Sequence, residues 1–180
     1  MNLLDHFRAM ARNNAWSNYR LHNACRQLSD EELTAERVSF FPSLQLTLHH
    51  ILIVDLFYID AVAAGGLGMS VFRPAGEFPD LDSLAAPQAA SDRRLIEVCD
   101  GLAEPDLDRQ IQLSRNRPTP PERIGDVLAH LFVHQIHHRG QVHAMLAGTE
   151  APPPQLDEFF LMEDAPLNRN ELAALGISRV

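Results

Sequence analysis

The chain has 180 residues, 46% of them hydrophobic, and a formal net charge of −9, which suits one domain with a sizeable core over 1–180. An acidic balance of this size excludes a nucleic-acid-binding surface, because phosphate contacts need a basic face. No run of about 18 or more apolar residues occurs, and the start Met1-Asn2-Leu3-Leu4-Asp5-His6-Phe7-Arg8 lacks the order of a signal peptide. The expectation is a cytoplasmic protein with neither membrane nor nucleic acid as partner. Cys25 and Cys99 lie far apart without CxxC spacing, which predicts two reduced, buried thiols and no structural zinc knot.

The first helical segment runs over about 3–28. Leu4, Phe7, Ala11, Asn14, Asn18, Leu21, Cys25 and Leu28 alternate three and four apart, a bundle stripe interrupted at mid-height by two asparagines. It ends before the capping signal Ser29-Asp30-Glu31-Glu32. The second, over about 43–64, is apolar nearly all round, with Pro42-Ser43 as a start and Gly65-Gly66 as a stop. The third, over about 84–102, carries Leu84, Gln88, Ser91, Leu95, Val98 and Leu102 on one face, and Pro87 predicts that its regular part begins there or that its first turn is irregular. Gln110-Ile111-Gln112-Leu113 alternates like a short strand whose partner is hidden by the prolines that follow. The fourth segment covers about 121–147 and stops at Gly148; a short helix over 168–175 follows Pro152-Pro153-Pro154. Four long apolar-faced segments with almost no strand signal predict an all-α, four-helix bundle with an irregular C-terminal extension. The long connection from Gly65 to Asp82 between the second and third helices leaves room for a crossover there.

The stretch 130–143 holds five of the nine histidines. On the stripe Ile124, Val127, Leu128, Leu131, His134, His138, Val142 and Met145, two imidazoles stand where a bundle helix would place Leu or Ile. A metal ion is the best reason for them. His130 and His138 are separated by about 12 Å of helix axis, too far for one ion with bonds of roughly 2.0–2.1 Å. The pairs left are 130/134, 134/137 and 134/138, of which the last lies best on the stripe. His143 falls on another face as a solvated or capping residue, His137 on the outer face or as an outer partner of the site, and His130 at the core edge, hydrogen-bonded to another helix. A third ligand must come from elsewhere. His49 and His50 are the pair lying mid-helix in a strongly apolar segment, and periodicity does not separate them.

Leu48-His49-His50-Ile51-Leu52-Ile53-Val54-Asp55, the string His134-Gln135-Ile136-His137-His138-Arg139-Gly140-Gln141 and the first-helix run Asn13-Asn14-Ala15-Trp16-Ser17-Asn18 together resemble the DinB (DinB/YfiT-like) superfamily, over most of the chain. That resemblance implies His50, His134 and His138 as ligands of one divalent ion, nickel or zinc, in a four-helix bundle that forms a homodimer, and a stress-response setting. Val133 departs from the Asn common in relatives.

Three neutral imidazoles without a fourth protein ligand leave positions open, as in catalytic rather than structural sites. Asn14 and Asn18 either point at the site from the facing helix or are a pair of polar residues hydrogen-bonded across the bundle. Asp55 orients an imidazole or bonds within its own helix; Gln141 sits beside the ion or at a polar edge; Arg139 points about 100° away from His138, toward a surface or interface ion pair. The chemistry that the resemblance implies is a thiol-dependent transferase, the metal activating a low-molecular-weight thiol cosubstrate. A hydrolase that activates water is the alternative, and a non-catalytic damage-response protein with a structural metal a third. A di-iron bundle is excluded by the missing inward Glu and Glu-x-x-His pairs.

Overall fold

The computed structural model describes residues 2–179 and is mostly helical. In chain order come α1 (Leu3–Cys25), a short α2 (Asp30–Thr34), α3 (Leu44–Val62), α4 (Leu81–Gly101), the strands β1 (Gln110–Ile111) and β2 (Glu122–Arg123), α5 (Ile124–Leu146) and α6 (Ala165–Leu175). Side chains fix three of the long starts by accepting from first-turn amides that lack helical partners. Asn2 accepts from Asp5 N–H, Ser43 from Leu46 N–H and Asp80 from Ser83 N–H, with the Ser83 hydroxyl closing a capping box. That box places the start of α4 upstream of Pro87, which lies inside a continuous helix rather than at its beginning. An interior proline costs roughly 3 kcal/mol, and burial of Leu81, Leu84, Ala85 and Gln88 around it outweighs that cost. The strand partner hidden by the prolines is Glu122–Arg123, just beyond them, with Gln110 opposite Arg123 and Ile111 opposite Glu122.

Of the four long helices, α1 packs on α4 and α5, and α3 packs on the same two, so α1 and α3 face each other across a diagonal. A crossover between the second and third long helices is therefore not what forms: α3 and α4 are neighbours. The diagonal connections are 26–43, from α1 to α3, and 102–123, from α4 to α5. The long 63–80 connection instead spends its length on α3's own side, where the 3₁₀ turn Gly68–Val71 packs back on that helix.

The core has two large apolar clusters and a small third one under the C-terminal segment. One gathers Leu4, Phe7, Phe57, Leu95, Leu128 and Leu131; the other Leu21, Cys25, Leu48, Leu52, Leu84 and Leu146. Between them in chain order on every long helix lie buried polar residues: Asn14 and Asn18 on α1, Asp55 on α3, Gln88 and Asp92 on α4, Gln135 and Arg139 on α5. The C-terminal segment closes over α1, where Trp16 packs with Phe159 and Leu172 and donates to Glu171 at 2.6 Å. By length and composition α3 is apolar enough to cross a membrane, but 61% of its most apolar window is buried inside the protein. Its apolar character goes into packing against α4 and α5.

Candidate metal centre

Because α3 and α5 are neighbours, an imidazole projecting from each meets the other. His50 Nε2 lies 2.9 Å from His134 Nε2, and the ring of His138 stands 4.5 Å from that of His50 and 4.4 Å from that of His134. One ligand nitrogen from each of the three lies within 4.8 Å of the other two, a grouping formed by no other His, Cys, Asp or Glu trio among the described residues. Two donors to one ion, with bonds of roughly 2.0–2.1 Å, sit about 2.9–3.4 Å apart in octahedral or tetrahedral geometry, so the spacing of His50 and His134 fits a shared cation. Burial, reinforced by the neighbouring rings, pushes His50 down to about 4 and His134 down to about 3. Burial lowers His138 as well, against the opposing bond from Gln141. Neutral rings keep the lone pairs that a metal needs.

The site is oriented from one side and walled on the other. Gln141, one turn along α5, accepts through Oε1 from His138 Nδ1 at 2.8 Å and places Nε2 3.2 Å from His137 Nε2. That bond turns Nε2 of His138 toward the trio, as the outer partner of a ligating histidine does. From the 26–43 connection, Phe41 lies tilted against the His50 ring at 4.4 Å and Phe40 stands 6.4 Å from His138. Above the rings a cavity of about 440 Å³ opens to solvent, walled by Phe40, Phe57, Phe72 and Tyr58.

A family model for the DinB family matches residues 2–171. The chain belongs to the DinB family. Protein DinB of Bacillus subtilis (strain 168) is 23% identical over 160 residues, which is 83% of this chain and 90% of that relative. In this DinB-family chain the cluster chooses His50 and turns His49 away: its Nε2 bonds to the Arg73 carbonyl at 3.0 Å, beside Phe78.

His130 is exposed and stands edge-on to Tyr58 at 5.2 Å, an aromatic contact in place of the expected hydrogen bond to another helix. His137 is on the outer face and His143 half-buried near the helix end. Val133 is 68% exposed, so its departure from Asn touches nothing at the site. Cys25 and Cys99 are free and buried, and burial pushes both thiols up to about 12, which keeps them protonated near neutral pH.

Asn14, Asn18 and Asp55 do not reach the histidines. They belong to the buried polar layer with Arg139, which is 3% exposed, not a surface or interface residue. Arg139 donates to the side-chain oxygens of Asn14 and, at 3.4 Å, Asn18. The amide ends of the same two asparagines donate to Asp92 Oδ1 at 3.0 and 2.9 Å. Each asparagine thus relays between a buried cation and a buried carboxylate. Gln88 joins Asp92 to Asp55 Oδ2, donating at 3.2 and 2.7 Å. Burial raises Asp92 to about 6; burial and then Asp92 raise Asp55 well above the carboxylate range; burial lowers Arg139 to about 10. Asp92 and Gln135 escaped the sequence reading of this layer, and Phe40, Phe41 and Tyr58 escaped that of the site.

Proposed function

We propose that this protein is a metal-dependent enzyme whose three-histidine centre activates a low-molecular-weight thiol for transfer to an electrophile. The observation that carries the reading is the convergence of three neutral imidazoles, without an acidic or thiolate fourth ligand, beneath an aromatic cavity that opens to solvent. A structural site uses four protein ligands and is closed; this one leaves positions facing space for small molecules. Zinc or nickel, when bound, lowers the pKa of a coordinated thiol and polarises an electrophile. His50, His134 and His138 hold the ion, Gln141 fixes the tautomer and tilt of His138, and Phe41 covers the His50 ring.

With this reading go the finer features of the fold: a four-helix bundle forming one domain, supported by the closed ring of packing among α1, α4, α3 and α5, and a cytoplasmic homodimer. Purified protein loaded with zinc or nickel is assayed against electrophiles with glutathione, bacillithiol or mycothiol as donor. Thiol-dependent turnover that His134→Ala abolishes, with folding retained, supports the proposal; turnover that survives the substitution removes it. Turnover without any thiol would assign the site to hydrolysis instead.

Gln141→Ala is expected to weaken metal binding about 10- to 100-fold, the usual cost of losing the outer partner of a ligating histidine. Competition against a chromophoric chelator measures it. An unchanged affinity would show that Gln141 does not orient His138.

A further inference from the structure

The cavity over the histidines has a chemical bias of its own. Asp and Glu outnumber Lys and Arg by 24 to 15 in the chain, yet neither Asp nor Glu lines this space among the described residues. Its lining holds instead one arginine, Arg115, carried by the 102–123 connection. The Arg115 guanidinium donates to the Tyr58 hydroxyl at 2.7 Å and lies 5.4 Å from the centre of the Phe57 ring and 5.8 Å from that of Tyr58. It makes no ion pair among the described residues, where nine other arginines do. A guanidinium has five N–H donors in a planar fork. Here one side-chain bond and two aromatic faces aim it, and the rest of the fork stays free.

The geometry points to a substrate that carries a carboxylate on an aromatic body, the carboxylate held by Arg115 and the body packed against the accessible rings of Phe40 and Phe72. A planar fork suits a carboxylate bidentately, and a pocket of about 440 Å³ falls in the size range of small-ligand sites. An exposed cation at the mouth of an aromatic-walled cleft, on an otherwise acidic molecule, also draws an anion to that cleft in preference to the rest of the surface. This inference deepens the reading of the histidine centre as catalytic and rests on it: Arg115 fixes which electrophile is presented to the metal, and is a specificity-determining residue.

The test is binding, so that it stands apart from turnover. Metal-free and zinc-loaded protein are titrated calorimetrically with 2-naphthoate and with its neutral counterpart 2-naphthamide, in the parent chain, Arg115→Gln and Arg115→Lys. Arg115 is exposed on a connection, so the variants are expected to keep the parent's circular dichroism and melting temperature. In the metal-free parent, naphthoate is expected to bind at least tenfold tighter than naphthamide. Arg115→Gln reduces that preference to within about twofold without weakening naphthamide, and Arg115→Lys keeps part of it. Equal affinities for acid and amide in the metal-free parent overturn the inference, as does a preference that Arg115→Gln leaves intact. A preference present only with zinc and indifferent to Arg115 places the carboxylate on the metal and also overturns it. Glutathione, which has carboxylates but no aromatic body, forms the last arm: if Arg115→Gln weakens it as much as naphthoate, Arg115 serves the thiol and the assignment to the electrophile fails. Absence of thiol-transfer activity with the naphthoate preference intact would sink the enzyme reading while leaving the anion site standing.

Discussion

His134→Ala is expected to weaken zinc or nickel binding about a hundred- to a thousandfold while leaving the metal-free protein about as stable as the parent. The binding loss follows from position. His134 Nε2 lies 2.9 Å from His50 Nε2 and its ring is one turn from His138, so its removal leaves two donors from different helices with no third. Free energies of about 10–16 kcal/mol for four-ligand zinc sites put one ligand at roughly a quarter of that sum. The metal-free fold has less to lose. The ring is half-buried, and its buried Nδ1 has no hydrogen-bond partner, so deleting it removes an uncompensated polar group along with some packing. The two effects separate in one experiment. Zinc at a thousand times its Kd stabilises a protein that binds it only when folded by about 4 kcal/mol; the parent shows that shift in thermal melts and the variant keeps little of it, with coincident melts in chelator. A variant that binds within tenfold of the parent would show that the three rings do not share an ion.

Much of this site was legible in the sequence because helical spacing alone constrains it. His134 and His138 stand on one stripe of the helix that is now α5, and the length of a turn eliminates His130 as a partner of His138. The choice between His49 and His50 was not legible from the residues, because α3 buries residues nearly all round and periodicity carries no direction there. The resemblance made that choice, and the packing of α3 on α5 makes it physically. Arg139 shows the opposite difficulty. Its 100° offset from His138 reads as outward only if α5 has one buried face. In fact α5 packs on α1 as well as α3, so the face that carries Phe132, Arg139 and Leu146 is interior too. Asn14 and Asn18 announced a polar interruption of the stripe on α1. Their partners Asp92 and Arg139 lie 74 or more residues away, and only the register between helices joins them. Phe40, Phe41 and Arg115 come from irregular connections, where no period exists to mark an inward side chain. The α4 start is legible in Asp80 and Ser83 as a capping pair, but the low helix propensity of Pro87 points to a later boundary, and only packing that no local pattern displays overrides it.

Arg139→Met is expected to be the most destabilising single substitution in the polar layer, by about 3–5 kcal/mol near pH 7.5, the cost of leaving buried charge without its partner. The size of the loss depends on pH, and the sign is fixed by the carboxylates. Burial raises Asp92 to about 6 and Asp55 well above the ordinary carboxylate range even with Arg139 present. In the unfolded chain both titrate near their ordinary value of about 3.9. A group whose folded pKa lies above its unfolded one contributes stability that is complete below the unfolded value and is lost as pH rises through the folded value. Removing the cation moves both folded values higher still, so the variant must take up nearly a full proton per carboxylate to fold at neutral pH and only about half of one near pH 4, where the unfolded groups are already about half protonated. Urea melts should therefore show a small deficit for Arg139→Met at pH 4 that grows steadily to pH 7.5. The triple variant Arg139→Met, Asp55→Asn, Asp92→Asn replaces the charges with neutral groups of similar shape and should recover most of the loss at pH 7.5, since the expense lies in the uncompensated carboxylates. A deficit equal at both pH values, and not relieved in the triple variant, would mean that Arg139 supports the core through the packing of its stem and that the electrostatic layer contributes little. The same comparison bears on the metal centre, because Arg139 follows His138 directly on α5. If the layer acts as a rigid floor that sets the register of α5 against α1, zinc affinity in the triple variant should stay within a few-fold of the parent, while the single variant loses affinity in step with its stability.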